Sequence, residues 1–414
     1  MLRNCITLPA LRRALNSLPK TLDETYERIL MNIDESYVSD VKKILQFLTF
    51  SPRPMNLAEL VEVLAIDMER EEPRFDVENR IPDPKDIISM CSTLVTVTNF
   101  TGWRDPYITV QMWERPRLAH FSVKEYLLSD RIKSSKASMY SVDPISGNLF
   151  IAQTYLAYLL GPQFSDGHCG FEDLKSRYRN WPLFRAAVLL FPTHISTADT
   201  HIDTTTTALI QKLFSTRHNP NGGNYAAWVG SLIPEADTKT IINTPPLYYA
   251  ASFGMTSIVK MLLSDMPKAE IDIKGGRTFA TPLHVACFRQ REKIVKLLLE
   301  AGADPNSTNC KGESCIYWAR DWGRPGALGC SEIYELLIKY GAYDAGRSFK
   351  KGRMLRMSAR IENSPERNEF SRAQVPTDMI EADHCEKEYI RLEANDLVTV
   401  KAHGTTKVVN ASEL

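Results

Sequence analysis

Apolar residues first settle into a helical rhythm near residue 21. Tyr26, Ile29, Leu30 and Ile33 recur at three- and four-residue steps, and Thr21 with Glu24 has the spacing of a capping box at their start. After a short break Val38, Val41, Ile44, Leu45 and Leu48 continue the period, and "SPRP" at 51–54 ends it because proline cannot extend a helix. "NLAELVEVLAI" (56–66) predicts a third helix. "DPKDIISMCSTLV" (83–95) predicts a fourth, with Asp83 as N-cap and Pro84 at N1. The period then shortens to two. "LVTVTNF" (94–100), "YITVQMW" (107–113) and "RLAHFS" (117–122) predict short strands, followed at once by the helix of "RLAHFSVKEYLLSDR" (117–131). Ser122 and Glu125 suggest a second capping box there, with Phe121 and Tyr126 as its staple. Helices followed by a small antiparallel sheet is the order of a winged helix, expected over 36–135 behind a helical segment at 1–35.

From 143 to 240 the apolar stripes remain helical, for example Leu149, Ile151, Tyr155, Tyr158 and Leu159, then Phe184, Ala187 and Leu190. Polar, breaker-rich joints interrupt them at 193–207 and 217–224. This region is expected to be a packing spacer. The next part repeats. Leu247, Leu283 and Ile316 align at intervals of 36 and 33 residues, and Ala250 and Ala286 each precede an isoleucine, Ile258 and Ile294, by eight. "TPLHVA" (281–286) at such a period is the signature of the ankyrin unit, a turn and two helices. About three repeats are expected over 244–345. The third carries extra residues around Trp322 and "RPGALGC", predicting a protruding loop. A basic stretch, "RSFKKGRMLRMSAR" (347–360), opens a polar tail over 346–414 that is expected to be mostly disordered. Within it "IRLEANDLVTV" (390–400) has the look of a strand with no evident partner. The fold class is therefore mainly α: winged helix with a small sheet, helical spacer and short ankyrin solenoid.

Composition narrows function. The 414 residues hold 50 Lys and Arg against 50 Asp and Glu, so no global field draws the chain to nucleic acid or anionic lipid. No secretory signal or membrane-length apolar run is present in the sequence. Eight cysteines without a C-x-x-C pair fit reduced thiols and a cytoplasmic or nuclear location. The absence of any Gly-Lys dipeptide excludes a Walker A loop, and H-E-x-x-H, G-x-S-x-G and paired zinc-ligand motifs are missing too. No catalytic residue, metal site or cofactor is expected, and no enzyme. Between Arg53 and Asp86 five basic residues face ten acidic ones, and the recognition-helix position carries Ile87, Ile88, Met90 and Leu94. Phosphate contacts dominate DNA affinity, so a DNA-binding transcriptional regulator is the alternative and protein packing the preferred reading.

"LPALRRALNSLPKTLDETYERIL", "RPMNLAELVEVLAID", "DIISMCSTLVTV" and "LAHFSVKEYLLS" resemble the region after the NTPase in fungal NACHT–ankyrin proteins, which are STAND-type, NOD-like signalling ATPases. The matching module is the winged helix of the GPI inositol-deacylase type, a label that implies no deacylase activity. The resemblance covers roughly 8–135 and, through the repeats, 244–342. It implies an NTPase upstream, so the chain is expected to be either a stand-alone relative or the C-terminal part of a larger ATPase. It also implies that His120, just before a helix, would contact the β-phosphate of ADP if such an NTPase were supplied. A histidine satisfied by packing and backbone hydrogen bonds is the preferred reading for this chain, which lacks the nucleotide site. In the ankyrin pattern the partner-facing positions correspond to Ser252 and Phe253, Phe288 and Arg289, and Asp321 and Trp322, with Lys311 and Glu313 on the preceding turn. Aromatics with arginine suit an interface hot spot. The expected partner is a protein rather than a nucleic acid or small molecule. Phe253 has the alternative of packing against the spacer, and His284 is expected to brace its own turn.

Overall fold

A computed structural model describes residues 7, 19–100, 113–319, 331–343, 397–402 and 405–410. It divides into two compact units, Met1–Asp344 and Ala345–Leu414. In the first, helix α1 (Leu22–Met31) is capped by Thr21, whose hydroxyl accepts the Glu24 N–H at 3.1 Å. The Glu24 carboxylate reaches the N–H of Lys20, not that of Thr21, so the expected box is displaced by one residue. Helix α2 (Val38–Phe50) buries Val41, Ile44, Leu45 and Phe47 and stops at Ser51, ahead of Pro52 and Pro54. Helix α3 (Leu57–Leu64) opens on a complete capping box between Asn56 and Glu59. Glu59 also receives both terminal guanidinium nitrogens of Arg53, which fixes the turn that precedes the helix.

Two short ladders follow. β1 (Ile66–Asp67) pairs with β2 (Arg74–Phe75), an element too brief to leave a period in the sequence. The expected helix over 83–95 shrinks to α4 (Asp86–Met90) and a 3-10 turn at Ser92–Leu94. The Asp83 carboxylate accepts the Lys85 N–H at 2.9 Å, an Asx turn that delays the helix in place of capping it. β3 (Val95–Phe100) and β4 (Trp113–Leu118) are antiparallel, with Val95 opposite Leu118 and Phe100 opposite Trp113. Leu118 is the last paired residue, so the strand expected over 117–122 ends there. Most of the strand expected at 107–113 lies outside the described residues. Helices α5 (Phe121–Leu128) and α6 (Asp130–Lys133) close the module.

The spacer is built around α7 (Pro144–Leu159) and α9 (Phe184–Thr197), flanked by α8 (Phe171–Asn180), α10 (Thr204–Ser215), α11 (Gly223–Leu232) and α12 (Thr238–Asn243). Asp143 caps α7 and Pro144 sits at its first position. The winged helix meets this spacer through aromatic and ionic contacts. Phe47 packs edge-on against Tyr155 at 5.6 Å. Glu62, on α3, is buried with the Arg80 guanidinium at 2.6 Å and the Tyr158 hydroxyl donating to it at 2.5 Å. Arg80 in turn lies 4.8 Å over the Trp181 ring. One charge therefore binds α3, the loop after β2, α7 and the end of α8.

The spacer also carries the repeats. Trp228 of α11 is fully buried, donates its indole N–H to the Val188 carbonyl at 3.1 Å, and touches Phe191, Tyr249 and Phe253. Tyr249 and Phe253 belong to α13 (Pro246–Phe253), the first helix of the array. The array continues with α14 (Thr256–Asp265), α15 (Pro282–Phe288), α16 (Glu292–Ala301), α17 (Cys315–Ala319) and α18 (Ser331–Lys339). The aligned Leu247, Leu283 and Ile316 are buried, as are Ala250, Ala286 and Ala319. The predicted protruding loop lies outside the described residues. In the second unit β5 (Leu397–Ala402) pairs with β6 (Thr405–Asn410), giving the strand near 390–400 a partner the sequence did not reveal.

Removing one member of a buried, paired charge costs about 3–5 kcal/mol, because the other is left without compensation. Arg80→Met is therefore expected to lower stability by about 3 kcal/mol, the guanidinium being partly exposed. Tyr158→Phe is expected to cost about 1.5–3 kcal/mol, the contribution of a hydrogen bond to a charged group. Urea unfolding measures both, and a loss under about 1 kcal/mol in each would refute the lock.

His194, on α9, supplies a pH test. Its Nδ1–H donates to the Asn148 side-chain oxygen at 2.7 Å, since the Asn148 amide nitrogen is committed to the Pro144 carbonyl. Nε2 is then the unprotonated nitrogen, buried without a partner. Burial pushes the imidazole down from 6.5 to about 4. The unfolded chain binds the proton first, so stability falls as pH drops from 6.5 toward 4, in total by on the order of 3 kcal/mol. His194→Gln is expected to flatten that decline; an unchanged pH profile would show that another group governs it.

Candidate partner-binding face

Each ankyrin unit begins with a tight turn, a finger, that its first helix must hold in place. Thr281 caps α15, and His284 at the third helical position turns back onto it. Nδ1 accepts from the Thr281 N–H at 3.3 Å and the Thr281 hydroxyl at 2.8 Å. Nε2 donates to the Glu313 carbonyl, 3.1 Å away in the next finger. A carbonyl can only accept, so the tautomer is fixed and both ring nitrogens are used. His284 braces its own turn, as expected, and ties it to its neighbour.

Glu313 is the second brace. Its carbonyl also receives the Asn309 N–H, and its Oε2 accepts from the Asn309 amide at 2.8 Å and the Trp318 indole at 2.9 Å. The carboxylate proposed from sequence for partner contact is thus engaged inside the finger. Lys311, two residues earlier, is exposed.

Phe288 lies at the end of α15 and is 48% exposed. Its ring stands 5.2 Å from that of Trp318, and the Arg289 guanidinium lies 5.6 Å from the Phe288 ring. Phe288, Arg289 and Trp318 form one aromatic and cationic cluster. Trp318 precedes Ala319, outside the two positions that follow the small pair of each first helix, so the repeat pattern does not single it out. Phe253, at the position equivalent to Arg289, is half-buried against Trp228 and Tyr249 at 6.3 and 6.4 Å. It faces the spacer, the packing alternative left open for it. Asp321 and Trp322 lie outside the described residues.

His120 occupies a different surface. It is itself the N-cap of α5, with Nδ1 accepting the Ser122 N–H at 3.2 Å. The Ser122 hydroxyl sits 2.6 Å from Nδ1 and 2.7 Å from the Tyr26 hydroxyl on α1. The capping box assigned to Ser122 and Glu125 is therefore replaced by a histidine cap two residues earlier. Phe121 is 69% exposed and makes no staple with the buried Tyr126; it lies instead against His120, 4.3 Å between rings. Among the described residues no cluster of three His, Cys, Asp or Glu could hold a metal, and no helix is long and apolar enough to cross a membrane.

Residues 26–140 match the family described as GPI inositol-deacylase, winged helix domain. Residues 219–309 and 247–348 match ankyrin repeats, in three copies. The chain carries a winged helix and ankyrin repeats. The ankyrin match opens at 219, upstream of the expected 244, and takes in α11 and α12. Neither module is catalytic in itself: the winged helix is not the catalytic part of the deacylase for which it is named. Among curated relatives, azaphilone pigments biosynthesis cluster protein L of Monascus ruber is 32% identical over 305 residues, 70% of this chain and 61% of that protein. The chain thus spans about three fifths of that relative's length. Shorter matches include diacylglycerol kinase iota of Homo sapiens, 34% identical over 79 residues, 19% of this chain and 8% of that protein. Palmitoyltransferase AKR1 of Kluyveromyces lactis is 41% identical over 71 residues, 17% of this chain and 9% of that one.

Replacing an N-cap by alanine costs about 1 kcal/mol. His120→Ala is expected to lose about that much, and His120→Asn to recover it, since Asn is a preferred cap. Thermal unfolding of the two variants checks this, and equal losses would show that the cap is not what His120 contributes.

Proposed function

We propose that the chain is a non-enzymatic regulatory or scaffold protein that holds a protein partner on its ankyrin repeats. The observation that carries this reading is the cluster at α15 and α17. Phe288 is half exposed beside Trp318, with Arg289 over its ring and Lys311 on the adjoining finger. Aromatics and arginine placed together on a rigid stack are the composition of an interface centre. Lys311 and Arg289 are the polar contacts of this face, and Asp321 and Trp322 would extend it. Glu313 contributes by fixing the finger that carries Lys311. Domain limits follow the same reading, with the winged helix at 36–135, the spacer at 143–240 and the repeats from 244 to 345.

A second reading places the chain within a NACHT-type signalling ATPase. It rests on the resemblance of 8–135 and on the setting of His120, an exposed ring whose Nδ1 is held by Ser122 while Nε2 has no hydrogen-bond partner among the described residues. Such a ring could offer Nε2 to a phosphate if an NTPase were joined to it. Without one, His120 serves as a helix cap.

Phe288→Ala is expected to abolish most capture of co-purifying polypeptides by the tagged full chain, with a melting temperature close to that of the parent. Quantitative mass spectrometry of both eluates reads the result. An identical set of captured proteins at identical abundance would end the proposal.

A further inference from the structure

The finger between α14 and α15 contains a residue in an unfavourable conformation. Gly275 and Ala280 exchange N–H···O bonds of 2.9 and 3.0 Å, and between them Phe279 adopts a φ of 48°. This is the left-handed region, where a side chain crowds its own backbone and bulky residues are rare. Thirty-three residues later, one repeat period on, the same position is Gly312, with a φ of 74°. Glycine adopts that conformation without penalty, so the turn itself asks for no side chain. Phe279 is moreover 50% exposed. The position thus carries a conformational cost and an exposed apolar surface together, and neither improves the fold. Strain of this kind gathers where a protein makes contact.

The surroundings indicate what it contacts. The Cys310 N–H donates to the Thr278 carbonyl at 3.0 Å, so the second and third fingers stand side by side. Lys311 follows Cys310 on one finger, and Lys274 precedes Gly275 on the other; both are exposed, neither is within salt-bridge distance of a carboxylate among the described residues, and Lys274 acts at longer range on the half-buried Asp272 carboxylate. Glu313 has its carboxylate turned to Asn309 and Trp318. Arg277, at the tip of the Phe279 finger, is paired with Glu235 of the spacer. A half-exposed ring on a finger that bears one exposed lysine, beside a finger that bears another, complements an apolar side chain set among carboxylates. The cations are local to the fingers. Over 245–319 nine Lys and Arg stand against seven Asp and Glu, a net of +2, too little surplus to track a phosphate backbone.

The geometry points to Phe279 as the anchor of a docking site for an extended acidic peptide segment, with Lys274 and Lys311 receiving its carboxylates. This rests on the reading that the repeats bind a polypeptide, and names the chemistry of that partner.

The test uses the full chain and fluorescent twelve-residue probes: an Asp/Glu-rich peptide with one central Leu, the same peptide with Ala there, a Lys-rich peptide with Leu, and a single-stranded oligonucleotide. The acidic Leu peptide is expected to bind with a Kd on the order of 10 µM, weakening with salt, and the other three at least about tenfold less tightly. Phe279→Gly relieves the backbone and so should fold with an unchanged or higher melting temperature. It is expected to weaken binding about tenfold, as removal of an interface anchor does. Lys311→Glu should weaken it further as salt is lowered. Equal binding by Phe279→Gly, preference for the Lys-rich peptide or the oligonucleotide, or no binding by the acidic Leu peptide would each overturn the proposal. Loss in Phe288→Ala with none in Phe279→Gly would leave the repeats as a binding surface and remove only this anchor. Indifference of both variants would count against the broader reading as well.

Discussion

The burial of Trp228 is the constraint on which the repeat array depends. An ankyrin unit cannot cover its own apolar face, and the first unit of a stack must borrow a surface from elsewhere. Here Trp228 supplies it. The indole N–H is satisfied by the Val188 carbonyl, so the whole ring is free to pack, with Phe191 on one side and Tyr249 and Phe253 on the other. Helix α11, which the ankyrin match takes in, is in this sense the end cap for the helix pairs from α13 onward.

At the other end of the spacer the junction is electrostatic as well as apolar. Glu62 is almost wholly buried, which for a carboxylate is tolerable only when it is paired and hydrogen-bonded. Arg80 and Tyr158 meet both requirements from elements distant in sequence, and Trp181 covers the guanidinium. The same burial, with the charge of Glu62 beside it, pushes the Tyr158 phenol well above its usual range, so it remains a donor throughout the physiological interval. Unlike an apolar contact, this arrangement specifies orientation: two groups from separate elements must meet at one oxygen pair.

The parts legible in the sequence were those written with a period. Helices α1, α2 and α3, the spacer stripes and the aligned Leu247, Leu283 and Ile316 all showed themselves as spacing, because burying one face of a helix forces that spacing. What escaped was decided by single hydrogen bonds. Asp83 and His120 both stand at the start of a helix, yet one makes an Asx turn and the other the cap, and composition does not distinguish them. The β1–β2 ladder is two residues long, below the length at which alternation can be recognised. On the candidate face, position within the repeat points to Phe288, Arg289 and Lys311. Glu313 shared that position but faces inward, Trp318 fell outside the rule, and Phe279 was hidden because a turn residue is read by its neighbours and not by its φ.

Because Trp228 closes the array on one side only, the two ends of the stack are unequal before duplication and deletion. A unit gained or lost next to α13 would leave the indole facing a helix not shaped for it. One gained beyond α16 would meet a surface that already repeats.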